Sequence, residues 1–116
     1  MDEDDFSESK KPLSHIIAYV KKNLNNKLSL NSIASTACMS TASLYRSFKR
    51  ELGITPVEFI NLERIKMAKR LLKDQHLHIK HVSFEVGFDD CNYFIRIFKH
   101  YEGITPKQYQ QLNNKS

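Results

Sequence analysis

Leu44 to Phe59 reads LYRSFKRELGITPVEF, and fifty positions later Phe94 to Tyr109 reads FIRIFKHYEGITPKQY. Arg46 recurs as Arg96, Phe48 as Phe98, Lys49 as Lys99, and Gly53-Ile54-Thr55-Pro56 as Gly103-Ile104-Thr105-Pro106. In both copies the large apolar residues, Leu44 and Phe48 or Phe94, Ile97 and Phe98, fall at helical spacing with cations between them. Gly then stops a helix, and Thr-Pro starts the next, with Thr as its cap and Pro in its first turn. The repeated unit is helix–stop–helix, with a cationic leading helix.

Working outward, each copy is preceded by a shorter apolar stripe. Leu30, Ile33, Ala34 and Ala37 stand at i, i+3, i+4 and i+7 before Cys38-Met39 and Ser40, a natural N-cap for a helix from Thr41 to about Leu52. Ile79, Val82, Ser83 and Val86 make the second stripe. Gly87-Phe88-Asp89 turns there, and Asp90 precedes a helix from Cys91 to about Tyr101. The second turn is one residue longer, since Ala34 to Leu44 is ten positions and Ser83 to Phe94 eleven. Two short helices joined by so tight a turn match a helix-turn-helix, in which a small residue on the first helix admits the second. Leu13, Ile16, Ile17, Val20 and Leu24 form an opening helix, and Pro56 to about Asp74 a helix about 28 Å long. Phe59, Ile60, Ile65, Ala68, Leu71 and Leu72 would form its buried face and Arg64, Lys66, Lys69, Arg70 and Lys73 its cationic one. A last helix starts at Pro106 and ends near Leu112. The expected fold is all-α, about seven helices forming two helix-turn-helix subdomains, 13–55 and 75–116, joined by a long linker helix, 56–74.

Composition agrees. With 41% hydrophobic residues, three Gly and three Pro in 116 residues, the chain can bury a core and has few helix breakers. Residues 1–12 carry five acids and two lysines and read as an acidic flexible tail or linker; an arm that competes for the basic face is the sharper alternative. The rest of the chain carries a net charge of +8, which suits a polyanionic partner. Cys38 and Cys91, without a CxxC pattern, read as reduced thiols. No apolar run reaches the ~20 residues of a membrane span, and no signal peptide opens the sequence, so an intracellular protein is expected.

A helix entering the major groove reads base edges with the face opposite its core. Leu44 and Phe48 fix the core side of the first helix, which leaves Thr41, Ala42, Tyr45 and Arg46 as base readers. Arg46 suits the paired acceptors of guanine, Ala42 a thymine methyl, and Tyr45 a base or a phosphate; a salt bridge from Arg46 to Glu51 is the bland alternative. In the second helix Phe94, Ile97 and Phe98 face the core, leaving Asp90, Cys91, Asn92, Ile95 and Arg96. Asn92 suits adenine and Ile95 a thymine methyl. Arg96 reads a guanine or holds a phosphate, and Asp90 caps the helix or accepts from cytosine. Ser40, Lys49, Arg50, Lys99 and His100 are the candidates for phosphate. Tyr93 and Phe88 belong to the core.

The ordered run Val86-Gly87-Phe88, Tyr93-Phe94, Arg96, Phe98-Lys99, Gly103 and Thr105-Pro106, with its weaker first copy, resembles the DNA-binding domain of AraC/XylS-type transcription regulators. The likeness spans residues 13–112. It departs from the family pattern at Ala37-Cys38, where Leu-Gly is frequent, and at Ser83, where Ala is usual. Cys38 is therefore expected to alter the first turn. The resemblance implies sequence-specific binding of double-stranded DNA, with the outward residues of the first helix reading the upstream half-site. It also implies activation through RNA polymerase, an effector-sensing or dimerisation domain in the full-length protein, and a bacterial cytoplasmic, nucleoid-associated location. One domain would occupy two successive major-groove segments about 34 Å apart and bend the DNA.

Other classes fit less well. No Gly-rich phosphate loop, shielded acid pair or nucleophile elbow is present, so no enzyme, catalytic residue or cofactor is expected. His76, His78 and His81 lack a fixed fourth donor for a metal. A basic helical module that binds acidic proteins would explain the charge. It would not explain why Arg46/Arg96 and Lys49/Lys99 recur together with their caps.

Overall fold

A computed structural model describes residues 13–113; the acidic segment 1–12 lies outside the described residues. Seven helices and no strand are found among them: α1 (residues 13–22), α2 (Leu30–Thr36), α3 (Thr41–Leu52), α4 (Pro56–Leu71), α5 (Ile79–Glu85), α6 (Cys91–Glu102) and α7 (Pro106–Asn113). The chain divides into two compact units between Ile60 and Asn61, inside α4.

The caps follow the sequence closely. Ser29 opens α2 with a capping box shared with Ser32, and the Ser40 hydroxyl accepts from the Ser43 amide 3.1 Å away to open α3. Thr55 and Glu58 exchange bonds of 2.8 and 3.1 Å at the start of α4, and Thr105 and Gln108 exchange bonds of 2.9 and 3.1 Å at the start of α7. Each such box satisfies two backbone donors that the first turn leaves orphaned. Gly53 and Gly103 close α3 and α6 at φ 77° and 83°, in the left-handed region a side chain disfavours.

In the first unit Leu13, Ile16 and Val20 of α1 are buried, together with Leu24, Ile33, Ala34, Leu44, Phe48, Phe59 and Ile60. Phe48 and Phe59 meet at 5.5 Å between ring centroids. The second unit packs Ile65, Ala68, Leu72, Val82, Val86, Phe88, Phe94 and Phe98 in one cluster. Its rings touch in series: Phe88 to Phe94 at 5.1 Å, Phe94 to Phe98 at 5.8 Å, and Phe98 to Tyr109 at 5.6 Å.

α4 stops at Leu71, three residues short of the sequence expectation. The amide of Asp74 turns back to the Leu71 carbonyl at 3.0 Å, and the Asp74 carboxylate accepts from the His76 amide at 2.9 Å. The buried Gln110 of α7 then donates to the carbonyls of Asp74 and Leu77 at 3.1 and 2.9 Å. These bonds consume backbone groups in turns, so the helix ends there.

The expected cationic face of α4 is only partly free. Lys66 pairs with Glu63, and Lys69 pairs with Glu102 at 3.1 Å and lies over the Tyr109 ring. Arg64 is half-buried over the Phe88 ring, 5.6 Å from its centroid. Burial lowers the pKa of its guanidinium, with Asp89 and Tyr93 acting in the opposite sense. Arg70 and Lys73 are exposed, as expected.

Candidate nucleic-acid interface

Both helix-turn-helix turns are built on one hydrogen bond. The Met39 amide donates to the Ala34 carbonyl at 2.9 Å, and the Phe88 amide to the Ser83 carbonyl at 3.0 Å. The residue before each donor has positive φ, 56° at Cys38 and 105° at Gly87. Cys38 thus adopts the conformation that Gly takes in the other copy. The backbone of the first turn is preserved rather than altered, at the cost of placing a side chain in the left-handed region, a penalty of about 1–2 kcal/mol. The extra residue of the second turn enters after this shared core, as Asp89.

On α3 the burial pattern separates two faces. Leu44, Ser47 and Phe48 are buried, while Ser40, Thr41, Ala42, Tyr45, Arg46, Lys49 and Arg50 are all exposed. Tyr45 is 48% exposed, so its ring has no core role to occupy it. The Arg46 guanidinium donates to the Ser43 hydroxyl at 3.3 Å and leaves Glu51 to Arg50, which pairs with it at 3.4 Å. Pairs this exposed contribute ~0–1 kcal/mol, so a phosphate competes readily for Arg50.

On α6, Asp90 caps the helix by accepting from the Asn92 amide at 2.9 Å. Asn92, Arg96, Lys99 and His100 are exposed, whereas Phe94 and Phe98 are fully buried. Two expected readers are partly covered. Cys91 and Ile95 are half-buried, and Ile95 packs against the second unit's core together with Ile97. A 12-residue helix whose core side is lined with phenylalanines covers a wider arc than two rings imply, and Ile95 falls at its edge. Arg96 lies over the Tyr93 ring, 5.5 Å from its centroid, and the Tyr93 hydroxyl accepts from the buried Asn61 amide at 3.2 Å.

Lys49 and Arg50 occupy the last turn of α3, and Lys99 and His100 that of α6. Lys49, Arg50 and Lys99 there complement the negative ends of the helix dipoles before any polyanion arrives. Cys38 is a free, exposed thiol and Cys91 a free, half-buried one. Among the described residues no group of three His, Cys, Asp or Glu is placed to hold a metal, and no helix is long and apolar enough to cross a membrane. Sequence reasoning overlooked Ser43, Asn61 and Gln110. The first had a visible signal, because Ser43 and Tyr93 occupy the same place in the repeat, three residues before the arginine.

Comparison with known proteins agrees with this geometry. A family model described as a helix-turn-helix domain matches residues 33–112. The transcriptional activator RhaS of Escherichia fergusonii is 30% identical over 104 residues, which cover 90% of this chain and 37% of RhaS. The bifunctional transcriptional activator/DNA repair enzyme AdaA of Bacillus subtilis is 36% identical over 98 residues, 84% of this chain and 46% of AdaA. The chain therefore spans less than half the length of these relatives. The DNA-binding domain of AdpA, a global transcriptional factor solved with a target DNA, superposes with a TM-score of 0.85 over 90% of this chain and 94% of that one; at 23% identity it shows the shared fold. The chain belongs to the AraC/XylS family of helix-turn-helix transcription regulators, as a domain that binds double-stranded DNA sequence-specifically.

Proposed function

We propose that α3 and α6 are two recognition helices, each reading its own half-site. Thr41, Ala42, Tyr45 and Arg46 read base edges from α3; Asp90, Cys91, Asn92, Ile95 and Arg96 read them from α6. Ser40, Lys49, Arg50, Lys99 and His100 hold phosphates. The observation that carries this reading is the match between the two helices. In each, an exposed arginine stands seven residues before a left-handed glycine, and the apolar residues two positions to either side of it are buried. Asp90 already spends one carboxylate oxygen on its cap, which leaves the other for cytosine. Ile95 and Cys91 reach the groove with part of their surface only, so their role is shape and methyl contact.

In this reading the chain comprises a first helix-turn-helix at 13–55, a linker at 56–74 and a second helix-turn-helix at 75–116, following an acidic tail. It serves as a binding module rather than an enzyme, in keeping with the helix-turn-helix model it matches and with RhaS, a transcriptional activator. The full-length protein adds an effector-sensing or dimerisation domain, acts in the bacterial cytoplasm, and contacts RNA polymerase to activate transcription; RhaS, which this chain resembles, is a transcriptional activator. Selection of bound oligonucleotides from a random pool by this chain tests the reading. Two separated half-site motifs are expected, with affinity falling steeply between ~50 and 200 mM salt while the preference persists. Enrichment of a single short motif, or of none, would contradict it.

A further inference from the structure

We propose that Tyr93 is a positioning residue for Arg96, a shelf anchored on α4 that holds the guanidinium ready for a base edge. The inference rests on the reading of Arg96 as a DNA contact and adds how that contact is prepared. Tyr93 and Arg96 are three residues apart on α6, a spacing that stacks side chains on one face. The guanidinium carbon is 5.5 Å from the ring centroid, within the range of a cation–π contact. The ring itself is held from two other sides. Phe88 meets it at 5.9 Å with an interplanar angle of 58°, and the Asn61 amide donates to its hydroxyl at 3.2 Å.

Asn61 is only 6% exposed, so turning the ring away would leave a buried amide without this acceptor. The hydroxyl therefore has a task a phenylalanine could not perform: it fixes the shelf against the linker helix. Arg64 lies over the neighbouring Phe88 ring, and Arg96 over that of Tyr93. An arginine free in solution surrenders rotamer freedom when it docks on a base. One already resting on an anchored ring surrenders less. Arg46 has no such support, because the residue in Tyr93's place is Ser43.

The test is a double-mutant cycle on DNA discrimination. Arg96→Ala first identifies the base pair whose preference depends on that arginine. Tyr93→Leu should then lower discrimination at that same base pair by about two- to fivefold, the worth of an exposed cation–π contact. Tyr93→Phe keeps the ring but loses its anchor to Asn61, so its discrimination should fall between that of the unaltered protein and that of Tyr93→Leu. In the Arg96→Ala background, Tyr93→Leu should cost nothing further. An equal loss in both backgrounds would mean that Tyr93 acts through packing alone and would overturn the proposal. If Arg96→Ala leaves every preference unchanged, the DNA role of Arg96 fails and the positioning role with it. Should Tyr93→Leu not fold, nuclear magnetic resonance of the unaltered protein decides. The Arg96 δ-methylene protons are expected upfield of those of Arg46 through the ring current; random-coil positions would refute the shelf.

Discussion

The turn between α2 and α3 and the turn between α5 and α6 solve one geometric problem with different residues, and each carries a different flaw. Both need a small residue where the helices cross and a left-handed residue four positions later. The first copy has the better crossing residue: Ala34 is 2% exposed and carries no polar atom. The second places Ser83 there, fully buried, with a hydroxyl that finds no hydrogen-bond partner. At the left-handed position the ranking reverses, with Cys38 at φ 56° against Gly87 at φ 105°. Neither copy is optimal at both places. The fold evidently tolerates one penalty of about 1–3 kcal/mol per turn, because the cores beneath supply far more.

The comparison can be broken hardest from below. Phe98→Ala and Phe48→Ala remove rings that are 0% and 1% exposed, and each should cost about 3–5 kcal/mol in urea unfolding. A loss below ~1 kcal/mol would show that the ring is not the centre of its unit. Next come the helix stops. Gly53→Ala and Gly103→Ala meet no atom within 4 Å of the new Cβ, so only the backbone penalty of about 1–2 kcal/mol should appear, and equally in both. Markedly unequal losses would mean that the two caps are not equivalent.

The turns themselves offer gains instead of losses. Ser83→Ala removes an unsatisfied buried hydroxyl and should stabilise by about 1 kcal/mol, or some 4–8 °C in thermal midpoint for a domain this size. Cys38→Gly relieves the left-handed strain but adds chain entropy to the unfolded state, so its gain should be smaller, about 0.5–1 kcal/mol. Destabilisation by Ser83→Ala would reveal a partner for the hydroxyl. A loss on Cys38→Gly would show that the thiol contributes packing there.

Most of the architecture was legible because it depends on neighbours in the chain. Ser40, Thr55 and Thr105 cap helices through residues three positions on, and Gly53 and Gly103 end them through conformational freedom, so local sequence suffices. The outward face of α3 was legible for the same reason: Leu44 and Phe48 fix it. What escaped depends on distant partners. Asn61 meets Tyr93 across 32 positions, and Gln110 meets Leu77 and Asp74 across 33 and 36. No period distinguishes such buried amides from solvated ones. The C-terminal end of α4 and the edge position of Ile95 escaped likewise, since both are decided by what packs alongside. Arg64 and Lys69 looked like free cations because their partners lie later in the chain, Phe88 in the second turn and Glu102 and Tyr109 on α6 and α7.

The central claim is that the duplicated arginines on α3 and α6 carry sequence discrimination. Its most direct measurement compares binding of the selected duplex and a scrambled one by the chain carrying Arg46→Ala and Arg96→Ala together. With helical circular dichroism unchanged, the ratio of the two affinities is expected to fall to near one. A ratio that stays at the value of the unaltered protein would contradict the account.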